Sequence, residues 1–128
     1  MAIPIGNWGK DHWSTFAYIE TLAVDHDGIA IPEPCRMRTN HKIHHYMGGP
    51  IDGSGYPTIL KNGNVVRGHD DWDCLDDAVI SELLIEIGTD LHRAFSLTEI
   101  GREVANLLRE HKANRGTFQN FSERFEKD

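Results

Sequence analysis

The densest run of chemistry-bearing side chains is His69-Asp70-Asp71-Trp72-Asp73-Cys74-Leu75-Asp76-Asp77. Carboxylates beside an imidazole can hold Mg²⁺, Mn²⁺ or a similar divalent ion, which sets His69, Asp70, Asp71 and Asp73 apart as candidate metal ligands. The same acids have a plainer use. Carboxylates in the first turn of a helix stabilise its positive end by about 0.3–1 kcal/mol each when exposed, and Asp70 or Asp71 is placed to cap one. Zinc is a second candidate ion. Cys35, His41, His44 and His45 follow the spacing C-x5-H-x2-H-H, and His69 with Cys74 gives H-x4-C. These are the nitrogen and sulfur donors that zinc prefers, although no CxxC or HxxxH pair here is the clean pair of a known zinc module. No organic cofactor is expected; a divalent metal or zinc is what these residues could hold.

Two segments repeat a grouping of His, Asp and Trp: Gly9-Lys10-Asp11-His12-Trp13-Ser14 and His69-Asp70-Asp71-Trp72-Asp73. Adjacent in space, they would form a polar pocket with aromatic walls. Apart, Trp13 and Trp72 would be core anchors, which is the preferred expectation. No nucleophile or phosphate motif is present: there is no GxSxG, no P-loop and no GxGxxG leading from a strand into a helix. The glycine-rich piece from Gly48 to Gly55 lacks the P-loop lysine and reads as a connector.

Charge is unevenly spread around a net value of −7. Asp70 to Asp90 holds eight acids and no Lys or Arg, whereas Arg93 to Arg115 holds five basic residues against three acidic. Candidate nucleic-acid contacts are therefore Arg93, Arg102, Arg109, Lys112 and Arg115, with Arg36, Arg38 and Lys42 as a second patch. The acidic block would repel phosphates and instead suit a basic protein partner.

The elements that must position these groups follow from apolar periodicity. Helical spacing of Trp13, Phe16, Ala17, Ile19, Leu22 and Ala23 predicts an N-terminal helix capped by Asp11 or Ser14 and ended at Asp27-Gly28. Ile29-Ala30-Ile31 reads as a short strand stopped by Pro32. Thr58–Lys61 and Asn64–Arg67 flank Asn62-Gly63, predicting a hairpin with a two-residue type I′ turn. Leu75, Ala78, Val79 and Leu83 predict a helix; Leu83–Ile87 and Ala94–Leu97 predict two strands around Gly88-Thr89-Asp90. Ile100, Val104, Leu107 and Leu108 form the stripe of a last helix, capped by Thr98. Phe118, Phe121 and Phe125 suit a short amphipathic helix that docks on the body or pairs two copies as a homodimer.

The order helix, two strands, helix over Ala78–His111, and the phrase SLTEIGREVANLLREHK in particular, resembles the wing and closing helix of bacterial winged helix-turn-helix regulators of the MarR and PadR type. The resemblance covers about a quarter to a third of the chain. The segments GKDHWS and HDDWDCLDD resemble small proteins carried by bacterial phages and plasmids. The expected architecture is α+β and winged-helix-like, with an N-terminal helix and an additional β-hairpin. Residues 1–112 would be one domain and 113–128 a tail. The resemblance implies a regulatory or accessory protein of a mobile element, binding nucleic acid through a basic wing side or a protein through the acidic surface. A small metal-dependent enzyme built on His69, Asp70, Asp71 and Asp73 is the alternative. The N-terminus carries no long apolar run, so the sequence predicts no membrane span, a cytoplasmic location, and Cys35 and Cys74 as thiols.

Overall fold

The computed structural model describes residues 3–33, 36–37, 58–89 and 92–125, the last two as backbone only. It is a mixed α+β structure. Helix α1 spans Lys10–Asp25, strands β1 and β2 span Thr58–Ile59 and Val65–Val66, and helix α2 spans Asp71–Ile80. Strands β3 (Leu84–Glu86) and β4 (Phe95–Leu97) and helix α3 (Glu99–Ala113) follow, with 3-10 turns at Ile5–Asn7 and Phe121–Phe125. Among the described residues no helix is long and apolar enough to cross a membrane.

The stretch from α2 to α3 follows the sequence pattern. Asp70 caps α2 through a reciprocal capping box with Asp73, and the Thr98 hydroxyl accepts from the Gly101 N–H at the start of α3. Helix α2 ends without a glycine. Glu82 takes φ 69° while the Leu83 N–H reaches back to the Ala78 carbonyl, which closes the last turn and turns the chain into β3. Strands β3 and β4 are antiparallel, with Leu84 opposite Leu97 and Glu86 opposite Phe95. Gly101 makes the close approach of α3 to this layer possible: a Cβ there would lie 2.0 Å from the Leu83 carbonyl oxygen.

Three local expectations are corrected. Helix α1 has Gly9 at its N-cap and no side-chain cap; Asp11 instead accepts the Ile59 N–H at 2.6 Å, and Ser14 donates to the Asp11 carbonyl. The long-range bond outcompetes the local one because it satisfies a strand N–H that would otherwise be half buried. The Ile29–Ile31 strand shrinks to one bridge, Ala30 with Phe95, since Pro32 has no N–H to extend the ladder. The hairpin turn is not type I′. The Gly63 N–H donates to Leu60, the Leu60 N–H to Asn64, and positive φ occurs at Gly63 (86°) but not Asn62. That is a three-residue loop closed by a left-handed glycine, and both strands shorten to two residues.

Trp8, Trp13, Phe16, Ile19, Leu75, Leu83, Leu84, Phe95, Val104, Leu108 and Phe121 form the core. Phe121 stands edge-on to Trp13 at 4.6 Å between ring centroids and lies wholly inside this chain. Beside it, Ser122 Oγ accepts the Trp13 indole N–H at 2.7 Å and lies 2.6 Å from the Trp8 carbonyl. Cys35, Arg38, His41, Lys42, His44, His45, the Gly48–Gly55 piece and Asp90 lie outside the described residues, as does the side chain of Phe125.

Candidate functional site

The first turn of α1, the residue before the N-cap of α2 and the buried face of α2 meet at one carboxylate. Asp77 Oδ2 accepts from His12 Nε2–H at 2.7 Å and from His69 Nε2–H at 2.8 Å, while its Oδ1 accepts the Ile3 N–H at 3.2 Å. The spacing from Cys74 to Asp77 is one helical turn, so α2 turns both side chains to the same buried side. Thr58, at the start of β1, closes the ring. Its hydroxyl donates to the His69 carbonyl at 2.5 Å, so toward His69 Nδ1, 2.9 Å away, the same oxygen acts as acceptor. The Cys74 Sγ lies 3.9 Å from that Nδ1 and 3.9 Å from the Thr58 oxygen.

The electrostatics follow from this layout. Burial alone would raise the Asp77 pKa, but two imidazole donors and the Ile3 N–H override it and hold the carboxyl down at about 2. His12 is 1% exposed and stacked on Trp8 at 4.9 Å. Desolvation dominates there and lowers its pKa despite Asp77. It is therefore a neutral ring with its proton on Nε2, and its Nδ1 is buried with no hydrogen-bond partner among the described residues. At His69 burial also opposes charge, yet Asp77, helped by Asp73 and Asp70, outweighs it and raises the pKa. The two imidazoles on one carboxylate are thus shifted in opposite directions.

The two His-Asp-Trp segments therefore do meet, through His12 and His69, whose ring centroids are 5.3 Å apart. Trp13 is a fully buried core anchor as expected; Trp72 is only half buried. Of His69, Asp70, Asp71 and Asp73, only His69 reaches the buried centre. Asp70 Oδ1 accepts the Asp73 N–H and Asp73 Oδ2 the Asp70 N–H, each at 3.0 Å, so both acids serve the start of α2. Burial, with the neighbouring Asp70 charge, raises the Asp73 pKa. Asp71 is buried and faces a cleft of about 240 Å³ with Ser14, Tyr18 and Arg36. Cys74, from the H-x4-C pair, does join His69. The sequence reading missed Asp77 and Thr58 as partners: Asp77 hid in an acidic run, and Thr58 carried no motif.

The basic candidates are distributed over several contacts. Arg93 bonds Glu86 through Nε and Nη2 at 2.9 and 3.0 Å and Asp76 at 2.6 Å, lying over the rings of Trp72 and Phe95. These acids raise its pKa further, and Arg93 in turn lowers that of Glu86. Arg102 and Arg109 line a cavity of about 560 Å³ between α1 and α3, where Arg109 pairs with Glu20 and Asn106. Lys112 Nζ lies 4.2 Å over Phe118, Arg36 pairs with Glu33, and Arg115 closes α3 at φ 71°.

A second surface has its own character. Among the described residues no strand pairs with the outer edge of β3. Ile85, Ile87, Ile80 and Ile100 are all at least half exposed around it. A groove of about 610 Å³ runs there, floored by Val79, Leu84, Ile85 and Ile100 and rimmed by Glu82, Glu86 and Glu99.

Comparison with protein-family models, with curated proteins and with solved structures found no match.

Proposed function

We propose that this chain works by binding rather than turnover, as a winged-helix-like accessory or regulatory protein of a mobile element that captures a basic protein segment. With the β1–β2 hairpin taken as an insertion before α2, the order α1, Ala30, α2, β3, β4, α3, with β4 between Ala30 and β3, supports the winged-helix reading. Helix α2 then stands where such a fold places its DNA-reading helix. Its first turn carries Asp71 and Asp73 after the Asp70 cap, which repels phosphate. Arg93, on the wing, is already neutralised by Glu86 and Asp76.

The observation that carries the proposal is the exposed β3 edge, where isoleucines sit inside a rim of glutamates. An unpaired strand edge is a template for an added strand. A second copy added there would bring glutamate against glutamate. An extended segment alternating lysine with apolar residues satisfies both the charge and the grooves.

The test is titration of the protein with a short peptide alternating lysine and valine, followed by amide chemical shifts. Shifts confined to β3 and the start of α3, weakened by salt and abolished by Ile85→Lys, are expected. Absence of binding, together with a salt-dependent mobility shift of duplex DNA or RNA that charge reversal at Arg102 removes, would replace this reading with the nucleic-acid one.

A further inference from the structure

We propose that His12, His69 and Cys74 bind one zinc ion in the interior of the protein, with Asp77 behind the two imidazoles as their orienting carboxylate. Each of the three residues offers a donor atom, and these donors lie within 4.8 Å of one another. All three residues are buried, so the donors are already withdrawn from water and held by packing.

The hydrogen bonds place the lone pairs. A carboxylate only accepts, so Asp77 fixes a proton on Nε2 of both rings. At His12 that leaves Nδ1 on the far side of the ring, with no hydrogen-bond partner among the described residues. A buried acceptor left unsatisfied is unfavourable, and a metal ion satisfies it. His69 Nδ1 lies 3.9 Å from Cys74 Sγ and gives its proton to the bond with the Thr58 hydroxyl, so it becomes a ligand when the ion displaces that proton. Metal-bound histidines regularly donate their other N–H to a carboxylate, which sets the tautomer and makes the ring a better ligand. Asp77 does this for two rings at once.

The donor set selects the ion. Two imidazole nitrogens and a thiolate match zinc, whereas Mg²⁺ and Ca²⁺ take oxygen ligands. Binding removes the Cys74 thiol proton to solvent and any proton on His69 Nδ1, with no change of oxidation state. The Thr58 hydroxyl, 2.9 Å from His69 Nδ1, offers an oxygen for a fourth position. Because little water reaches the site, the ion's task is to tie α1 to the start of α2 rather than to hydrolyse a substrate.

The experiment uses the full chain purified without chelator, stripped, and reloaded with cobalt(II) or zinc(II). One equivalent of cobalt should give tetrahedral ligand-field bands and a thiolate charge-transfer band, and one equivalent of zinc should bleach them. Cys74→Ser, which keeps the size of the side chain, should lose the thiolate band while its circular dichroism stays that of the parent. His12→Gln should weaken binding at least tenfold. Cys35→Ser should change nothing, which separates this site from Cys35 with His41, His44 and His45. Zinc should also raise Tm of the parent and not of Cys74→Ser. A parent that binds no cobalt, a band that survives Cys74→Ser, or one removed by Cys35→Ser would each overturn the proposal.

Discussion

Replacing Asp77 by Asn tests whether one buried carboxylate organises the interior. The change is nearly isosteric, so packing is kept while the charge is lost. Asp77 accepts three hydrogen bonds, two from imidazoles and one from the Ile3 backbone. Its carboxyl sits at about 2 in the folded chain against an ordinary 3.8, which corresponds to about 2 kcal/mol of stability at neutral pH. Breaking a buried charge pair outright costs about 3–5 kcal/mol. An amide retains one acceptor, and the neutral His12 ring can shift its proton to meet it. The expected loss is therefore about 2–3 kcal/mol, or about 10 °C in Tm for a chain of this size. The assay is urea unfolding followed by tryptophan fluorescence, with chelator present, from acid to neutral pH. Trp8 and Trp13 are fully buried and report the transition.

The pH course of that difference is fixed by sign. Asp77 has a depressed pKa, so its contribution is present above the unfolded value of 3.8 and fades as pH falls toward about 2. His69 has a raised pKa, so its contribution is full below 6.5 and fades as pH rises through its folded value. His12 has a lowered pKa and acts oppositely, stabilising above 6.5 and losing that as pH falls. The gap between parent and Asp77→Asn should be widest between about pH 4 and 6.5 and close near pH 2. A gap below about 0.5 kcal/mol at pH 5, or one that persists unchanged at pH 2, would refute the reasoning.

Gly101→Ala should destabilise by about 3 kcal/mol or more, since the new Cβ meets the Leu83 carbonyl oxygen and backbone must move; a parental urea midpoint would contradict the packing of α3. Gly63→Val should cost about 1–2 kcal/mol through its positive φ alone, because the position is otherwise open; an unchanged Tm would show that the loop can adopt another turn.

The stretch from Asp70 to Ala113 was legible because its information is local. Caps at Asp70 and Thr98, the switch of apolar period at Leu83 and the stripe from Ile100 to Leu108 are all written within one turn or strand of where they act. The hairpin position was legible for the same reason, and its turn type was not, since Asn62-Gly63 suits two loop lengths and tertiary context chose between them. The site was legible only in fragments. The His-Asp-Trp repetition pointed to His12 and His69, and H-x4-C pointed to Cys74. The carboxylate that joins them is 65 residues from His12 and looked like one more acid of a helix start. Likewise Asp11 had the look of a cap, while its true partner is the Ile59 N–H, 48 residues away.

Ser122 carries a consequence for how the molecule comes into being. Its hydroxyl joins the Trp13 indole and the Trp8 carbonyl across more than 100 residues of chain, and Phe121 covers the same indole. During synthesis Trp8 and Trp13 leave the ribosome more than 100 residues before Phe121 and Ser122, so this part of their cover arrives after the other core residues have emerged. Closing that contact carries the entropy of a loop of more than 100 residues, a non-local cost that slows folding. For that interval the face of the Trp13 indole that Phe121 and Ser122 cover in the finished fold stays open to other apolar surfaces.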